Sequence, residues 1–446
     1  MRPSGNHPVK SRQTERRGNL RWFLVFWLFI LSAVSFLDRV NVSVAGSSIA
    51  KEFGLSQVQL GWVFSAFLWG YALFQTLGGW MADRLGPRRV LTAGVVWWGI
   101  FTALTAAVMP TVAGAIYIFV LVRFLLGAGE AIIFPASNQF ISRWIPTEER
   151  GFANGLIFAG VGAGAGVAPS LVTYILLHYG WRWSFWFSAL LGLIVGALWY
   201  LAARDTPEKH PGVSGTELAY IQAGRTTKEA FANQPAQRVA WGTILSSKEV
   251  WAVTLSYFCF GYVAWIFFSW FYIYLAQVRG LNLKTSAFYS TFPPLAMVAC
   301  SLLGGAINDK LSAAYGKRSG RCGTAVFALA LAAVLLVLGS KAESAPVASL
   351  VLAGGAGALY LAQSSYWSVT ADIAGASAGS ASGFMNMGAQ LGGAVTALLT
   401  PVIAAHFGWT YPFLAAATLS ALGAVAWLFV DPSRPLKPAD LSGATT

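Results

Sequence analysis

The sequence predicts an all-α integral membrane protein with twelve transmembrane helices, arranged as two pseudo-symmetric six-helix halves. Three observations carry that expectation. Apolar residues make up 56% of the 446-residue chain and charged residues only 11%, whereas soluble domains carry about 25% charged residues. Apolar runs of about 20 residues, the length that crosses a bilayer, recur on both sides of a central polar stretch. Short motifs in the first set of runs return in the second at a nearly constant offset.

The runs fall at 21–44, 57–82, 89–109, 112–138, 151–177 and 183–202, and again at 249–276, 285–308, 323–340, 345–371, 379–405 and 410–430. They divide the chain into an N-terminal tail (1–20), an N-terminal half (21–202), a linker (203–248), a C-terminal half (249–430) and a C-terminal tail (431–446). The linker is rich in Lys, Glu, Gln, Thr and Pro and reads as solvated, with a short surface helix near Gly215–Gly224. Basic residues precede the first run, and Val44-Ala45-Gly46 would serve as a signal-peptidase site. Asp38 and Arg39 inside that run, and the further spans behind it, favour a retained helix.

Charge fixes the expected orientation. Lys51, Arg182, Arg279, Lys284 and Lys341 fall on one side, Arg39 and Arg123 fall inside helices, and the other 23 of the 30 Lys and Arg share a side with both termini. Positive residues concentrate on the cytoplasmic side, so both termini are expected there, in a cytoplasmic (inner or plasma) membrane. The same bias explains the net charge of +13 without nucleic acid. The odd set Cys259, Cys300 and Cys322 shows neither a disulfide framework nor metal-ligand spacing. His7, His178, His210 and His406 read as lying in tails or loops. No metal or cofactor is expected, protons aside as coupling ion, and the chain is expected to be a monomer.

The halves echo each other. Gly79-x-x-x-Asp83-Arg84-Leu85 after the second span is matched by Gly305-x-x-x-Asp309-Lys310-Leu311 after the eighth, 226 residues on. Gly151, Gly155, Gly160 and Gly164 in the fifth span match Gly379, Gly383, Gly388 and Gly392 in the eleventh, 228 residues on. Repeated halves joined by a linker are a transporter architecture. The run Gly160-x-Gly162-x-Gly164-x-Gly166 lacks the preceding strand and the Lys-Ser/Thr ending of a phosphate loop. Small residues at this spacing are explained by close helix packing.

Of the 17 acidic residues, only Asp38 and Glu130 sit deep in apolar spans. A charge at mid-membrane costs about 2.5–3.5 kcal/mol on insertion scales, so such residues are kept for pairing or for function. Arg123, Gly127 and Glu130 stand at i, i+4 and i+7 and share one helix face. Asp38 and Arg39 are adjacent and point about 100° apart, so one faces a central cavity and the other a neighbouring helix. An arginine offers a carboxylate a planar two-bond fork, and a desolvated carboxyl takes up a proton more readily than one in water. Two arginines with two such acids suit co-transport of a small anion with protons. Further polar candidates are Tyr71 and Gln75 on one face of the second span, Tyr262, Trp265 and Ser269 in the seventh, Ser364, Ser365 and Trp367 in the tenth, and Asn386 and Gln390 in the eleventh. Their hydroxyls and amides suit a polyol-like substrate, or else helix-to-helix hydrogen bonds.

The segment Gly79-Trp80-Met81-Ala82-Asp83-Arg84-Leu85-Gly86-Pro87-Arg88-Arg89 closely resembles the signature loop between helices two and three of the major facilitator superfamily, departing from the usual pattern near Pro87. The degraded copy at Asp309 and the Gly180-Trp181-Arg182-Trp183 opening of the sixth span fit the same resemblance. Within the superfamily the chain, over about residues 20–430, looks like the anion:cation symporters, carriers of hexuronates, galactonate, glucarate and related anions. Asp38-Arg39-Val40-Asn41, Arg123-x-x-x-Gly127-x-x-Glu130 and the stretch Trp367 to Asp372 carry that likeness. It implies that Asp38 and Glu130 are proton-carrying acids. It implies too that Arg39, nearest the substrate carboxylate, and Arg123, Tyr71, Ser364, Ser365 and Asn386 bind substrate, and Gln75, on the face of Tyr71, is expected to join them. Asp83, Arg84, Arg88, Arg89 and Asp309 then belong to the gate. Some sugar-acid carriers have Tyr two residues before the Asp. This chain has Phe36, which leaves the identity of the acid open.

The sequence therefore reads as a proton-coupled symporter of small organic anions, foremost sugar acids such as hexuronates, aldonates or aldarates. A same-fold exporter or antiporter, a carrier of aromatic or other carboxylates, and a transporter-like nutrient sensor are the alternatives. No nucleophile–base constellation points to an enzyme.

Overall fold

In a computed structural model, which describes residues 18–224, 239–271, 274–281 and 283–436, every regular element is helical. Eleven continuous stretches are long and apolar enough to cross a membrane. One of them, Ala345–Phe407, is 63 residues long and turns back at Gly375–Ser377, so it makes two crossings and the total is twelve. The N-terminal set is α1 (Leu20–Phe53), α2 (Gln57–Leu85), α3 (Pro87–Ala107), α4 (Ala115–Glu130 and Ile133–Trp144), α5 (Arg150–Tyr179) and α6 (Trp181–Ala202). The C-terminal set is α7 (Lys248–Ser269), α8 (Phe292–Tyr315), α9 (Thr324–Lys341), α10 (Ala345–Leu361 and Gln363–Ala374), α11 (Ala378–Phe407) and α12 (Thr410–Ala426).

Local chemistry sets the ends. Ser56 accepts from the Gln59 N–H while Gln59 returns a bond to the Ser56 N–H, a capping box that starts α2. Gly86 at φ 93° stops α2, and Pro87 opens α3, where its missing N–H costs nothing. Gly316 repeats that conformation at φ 86° between α8 and α9. The break in α4 at Ala131–Ile132 lies four residues before Pro135, which cannot donate to the Ala131 carbonyl.

The two halves meet along α2 with α11 and along α5 with α8. Glycines let the backbones touch. A Cβ on Gly79 would lie 1.9 Å from the Gly379 carbonyl oxygen, and one on Gly305 would lie 2.5 Å from that of Gly151. Within the halves, Gly160 and Gly164 press α5 against Phe29 and Ala33 of α1, and Gly388 and Gly392 press α11 against Thr254 and Phe258 of α7. The matched glycines of the fifth and eleventh spans are thus packing surfaces, one in each half.

Several sequence expectations shift. The first helix runs on to Phe53 and the fourth to Trp144, because solvent-end turns continue past the apolar run. His178 and His406 lie in the last turns of α5 and α11, not in loops. Each ring meets the carbonyl four residues back, Tyr174 and Val402. The linker is not uniformly solvated. Its helix Gly215–Ala223 buries Glu217 and Ile221 completely, and the Glu217 carboxylate accepts from the Arg21 N–H and the Arg21 guanidinium. The tails at 1–17 and 437–446 and the linker stretch 225–238 lie outside the described residues.

Gly164→Val should force α5 off α1, since a Cβ there already meets the Ala33 carbonyl oxygen at 2.3 Å. Overpacking of this kind costs about 1–3 kcal/mol, so the melting temperature of the purified protein should fall. Gly166→Val, where a Cβ meets nothing within 4 Å, should leave it unchanged.

Candidate functional site

Helix α1 carries two adjacent charges that face different neighbours. Arg39 turns toward α2 and α4. Its Nε lies 3.1 Å from Glu130 Oε1, and its guanidinium stacks over Tyr71 at 4.2 Å and Phe36 at 4.6 Å. Glu130 is fully buried and Arg39 nearly so. An exposed ion pair contributes at most about 1 kcal/mol, but removing one partner of a buried pair costs about 3–5 kcal/mol, so this bridge governs the local arrangement. Arg123, also buried, lies under Phe67 at 5.0 Å, and its Nε and Nη1 have no hydrogen-bond partner among the described residues. The same holds for the Tyr71 hydroxyl, both amide atoms of Gln75 and Glu130 Oε2. Gly127, between the two charged residues of α4, faces the Phe67 carbonyl of α2, where a Cβ would come within 2.2 Å. It makes room for a helix.

Asp38 turns the other way, toward α3. Its Oδ2 accepts from the Trp98 indole N–H and, at 3.3 Å, from the Thr102 hydroxyl. One turn on, Asn41 accepts from Ser184 at 2.6 Å and donates to Ser188 at 3.3 Å, both on α6. These contacts fix the rotation of α1 and thereby aim Arg39 at Glu130.

In the C-terminal half the predicted residues scatter more widely. Among the described residues Ser364 is buried with no partner for its hydroxyl, and Gln390 has none for its amide oxygen. Asn386 is buried on α11. Ser365 is drawn elsewhere, since its hydroxyl accepts from Asn308 of α8 at 2.8 Å. Trp367 bonds the Tyr257 hydroxyl at 3.1 Å and packs on Phe158 of the other half at 5.1 Å. Trp265 lies over Gly393.

The Major Facilitator Superfamily model matches residues 28–397 and 369–445. The chain belongs to the major facilitator superfamily. It is 33% identical over 423 residues to a probable sulfoacetate transporter of Cupriavidus necator, covering 94% of this chain and 95% of that one. It is 33% identical over 309 residues to a probable galactarate/D-glucarate transporter of Escherichia coli, covering 67% and 68%. A solved proton:xylose symporter superposes with a TM-score of 0.73 at 17% identity, covering 93% of this chain and 97% of that one, a likeness of fold. The chain is thus a multi-pass membrane transporter, not an enzyme.

On the linker face of this superfamily member, Asp83 of the signature loop and its repeat Asp309 bridge the two halves. Asp83 caps the start of α11, accepting from the Gly379 N–H at 2.9 Å, the Ser380 N–H at 2.8 Å and the Ser380 hydroxyl. Asp309 repeats this across the other seam, accepting from the Gly151 N–H at 2.8 Å and the Phe152 N–H at 2.6 Å. A carboxylate at a helix N-terminus meets both free N–H groups and the positive end of the macrodipole. The three arginines of the loop do not cross between halves. Arg84 and Arg89 are exposed, Arg84 over the Trp80 ring. Arg88 lies over Tyr200 and donates to its carbonyl, within the same half. Among the described residues Arg150 crosses the seam to Asp372 at 2.9 Å, while Arg321 pairs with Asp372 and Asp309 within its own half and reaches across by donating to the Thr147 carbonyl at 2.6 Å. In the sequence these two stand among loop charges, and only the fold brings the starts of α5 and α9 to the end of α10. The one sequence signal was Asp372 at the end of the tenth apolar run.

Asp83→Asn should weaken closure of the linker face, since the charged acceptor for two N–H groups is lost. At about 1.5–3 kcal/mol for a charged hydrogen bond, the closed state should lose roughly tenfold or more in population. Thr76 and Met387 touch across this seam at 3.9 Å. The disulfide yield of Thr76→Cys with Met387→Cys, in a background lacking Cys259, Cys300 and Cys322, should drop on adding Asp83→Asn. Turnover should slow while substrate affinity holds.

Proposed function

We propose that the protein is a proton-coupled symporter of small organic anions, foremost sugar acids such as hexuronates, aldonates and aldarates, working by alternating access in the cytoplasmic membrane with both termini inside. The buried Arg39–Glu130 bridge beside the unpartnered donors of Arg123 carries this reading. While Glu130 is ionised it holds the Arg39 fork. A proton on Glu130 removes the counter-charge and frees that fork for a substrate carboxylate, next to Arg123. Proton and anion then enter together, because each makes the other's site favourable. Tyr71, Gln75, Ser364 and Asn386 would meet the substrate's hydroxyls. Asp83 and Asp309 would hold the linker side shut while the opposite side is open. The named activities of the Cupriavidus and Escherichia relatives, both carriers of small anions, support the substrate class.

In proteoliposomes, uptake should follow an imposed inward proton gradient, alkalinise the outside medium and collapse with a protonophore. Uptake that survives the protonophore and tracks sodium would sink the proton assignment. A panel of hexuronates, aldonates, aldarates, sulfoacetate and aromatic acids identifies the substrate.

Glu130→Gln keeps the shape of a protonated Glu and cannot release the proton. Counterflow of labelled for unlabelled substrate should persist and net accumulation should vanish. Loss of both in a folded mutant would make Glu130 a binding or structural residue. Arg39→Lys keeps the charge and loses the fork. Its affinity should fall by about 1.5–3 kcal/mol, read as a raised half-saturation concentration in counterflow.

A further inference from the structure

Asp38 is 2% exposed and, unlike Glu130, touches no cation among the described residues. Its two oxygens are unequal. Oδ2 accepts from the Trp98 indole N–H and the Thr102 hydroxyl, while Oδ1 is buried with no hydrogen bond to any of the described residues, the Ser188 hydroxyl also facing the carboxyl. The donors are mounted rigidly. Trp98 is fully buried, with its ring packed against Gly192 of α6. Gly99 and Gly196 bring α3 and α6 into close contact on either side. The charged groups facing Asp38 are Glu130 and Arg123, both on α4. Helix α3 presents Trp98 and Thr102, and α6 presents Ser188, none of which titrates in the working range.

We propose that Trp98, seconded by Thr102, is a positioning residue for proton uptake at Asp38, holding Oδ2 so that Oδ1 is the oxygen that gains and loses the proton. Uptake forms one O–H bond at Oδ1 with a proton taken from hydronium, release breaks that bond and returns the proton to water, and no oxidation state changes. A donor on Oδ2 stabilises the carboxylate more than the neutral acid. The donor therefore stays engaged when the proton leaves Oδ1. The clamp also fixes the carboxyl plane, so Oδ1 stays presented on the same side of α1 through the cycle. This rests on the proposed proton coupling, but its test does not need a substrate.

The test is an infrared titration of the purified full chain in lipid nanodiscs. The protonated-carboxyl stretch that disappears in Asp38→Asn belongs to Asp38. In Trp98→Phe, which keeps the ring and removes the donor, the midpoint of that band should move toward alkaline pH by about one unit, as expected for loss of one charged hydrogen bond. Thr102→Val should move it the same way by less. In proteoliposomes, the pH at which counterflow falls off should rise with it. Adding Trp98→Phe to Asp38→Asn should produce no further change in that profile. An unmoved midpoint in both variants, with only a lower melting temperature, would overturn the inference and leave Trp98 a packing residue. Uptake that proves independent of protons in the wild type would instead defeat the proposed function, and the infrared result would still decide the role of Trp98.

Discussion

Charge inside a hydrocarbon layer has no water to answer it, so each charged group must find its partner in protein. The Arg39–Glu130 bridge is where that constraint bears hardest. Because Asp38 and Arg39 are neighbours on one helix, α1 has to serve two polar clusters at once, one built by α3 and α6 and the other by α2 and α4. A rotation of α1 that satisfied only one of them would strand a charge in the other. Helix α5 then closes on α1 through Gly160 and Gly164, which leaves little room for α1 to turn.

The same constraint eases at the linker face, and the contacts there are of a different kind. Asp83 and Asp309 bind free N–H groups at the first turns of α11 and α5. Each is a charged acceptor whose hydrogen bonds contribute about 1.5–3 kcal/mol, less than the about 3–5 kcal/mol that stranding one partner of a buried ion pair costs. Gly79 with Gly379 and Gly151 with Gly305 bring the backbones together without interlocking side chains, a seam that separates without repacking a core. The two seams are not equal. The α5–α8 side adds Arg150, Arg321 and Asp372, fully buried or nearly so and mutually paired. The linker helix sits next to that network, since Thr147 donates to the Gly224 carbonyl on one side while its own carbonyl accepts from Arg321 on the other.

Phe36 joins the Arg39 cluster to the other half. Its ring packs beneath the Arg39 guanidinium and lies 6.3 Å from Phe268 of the other half. A tyrosine here would add a hydroxyl beside the bridge. With phenylalanine the Arg39 fork is lined by Phe36, Phe67 and Tyr71, so Tyr71 carries the one hydroxyl of that aromatic shell.

What the sequence by itself determined is what depends on periodicity and composition. Span lengths, the repeat that pairs Gly79 with Gly305 and Gly151 with Gly379, the buried positions of Asp38 and Glu130, and the divergence of Asp38 from Arg39 all follow from residues along a helix of known pitch. Tertiary structure alone decided the partners. Arg39 bonds an acid 91 residues away, Asp38 is held by Trp98 rather than by an arginine, Ser365 is engaged by Asn308, and Arg150 finds Asp372 at 222 residues' separation. The linker, polar by composition, docks because one buried carboxylate, Glu217, meets the start of α1. Pitch fixes which way a side chain leaves its own helix. Which side chain it meets depends on how neighbouring helices are rotated and how closely their glycines let them approach, and those quantities exist only once the helices have packed.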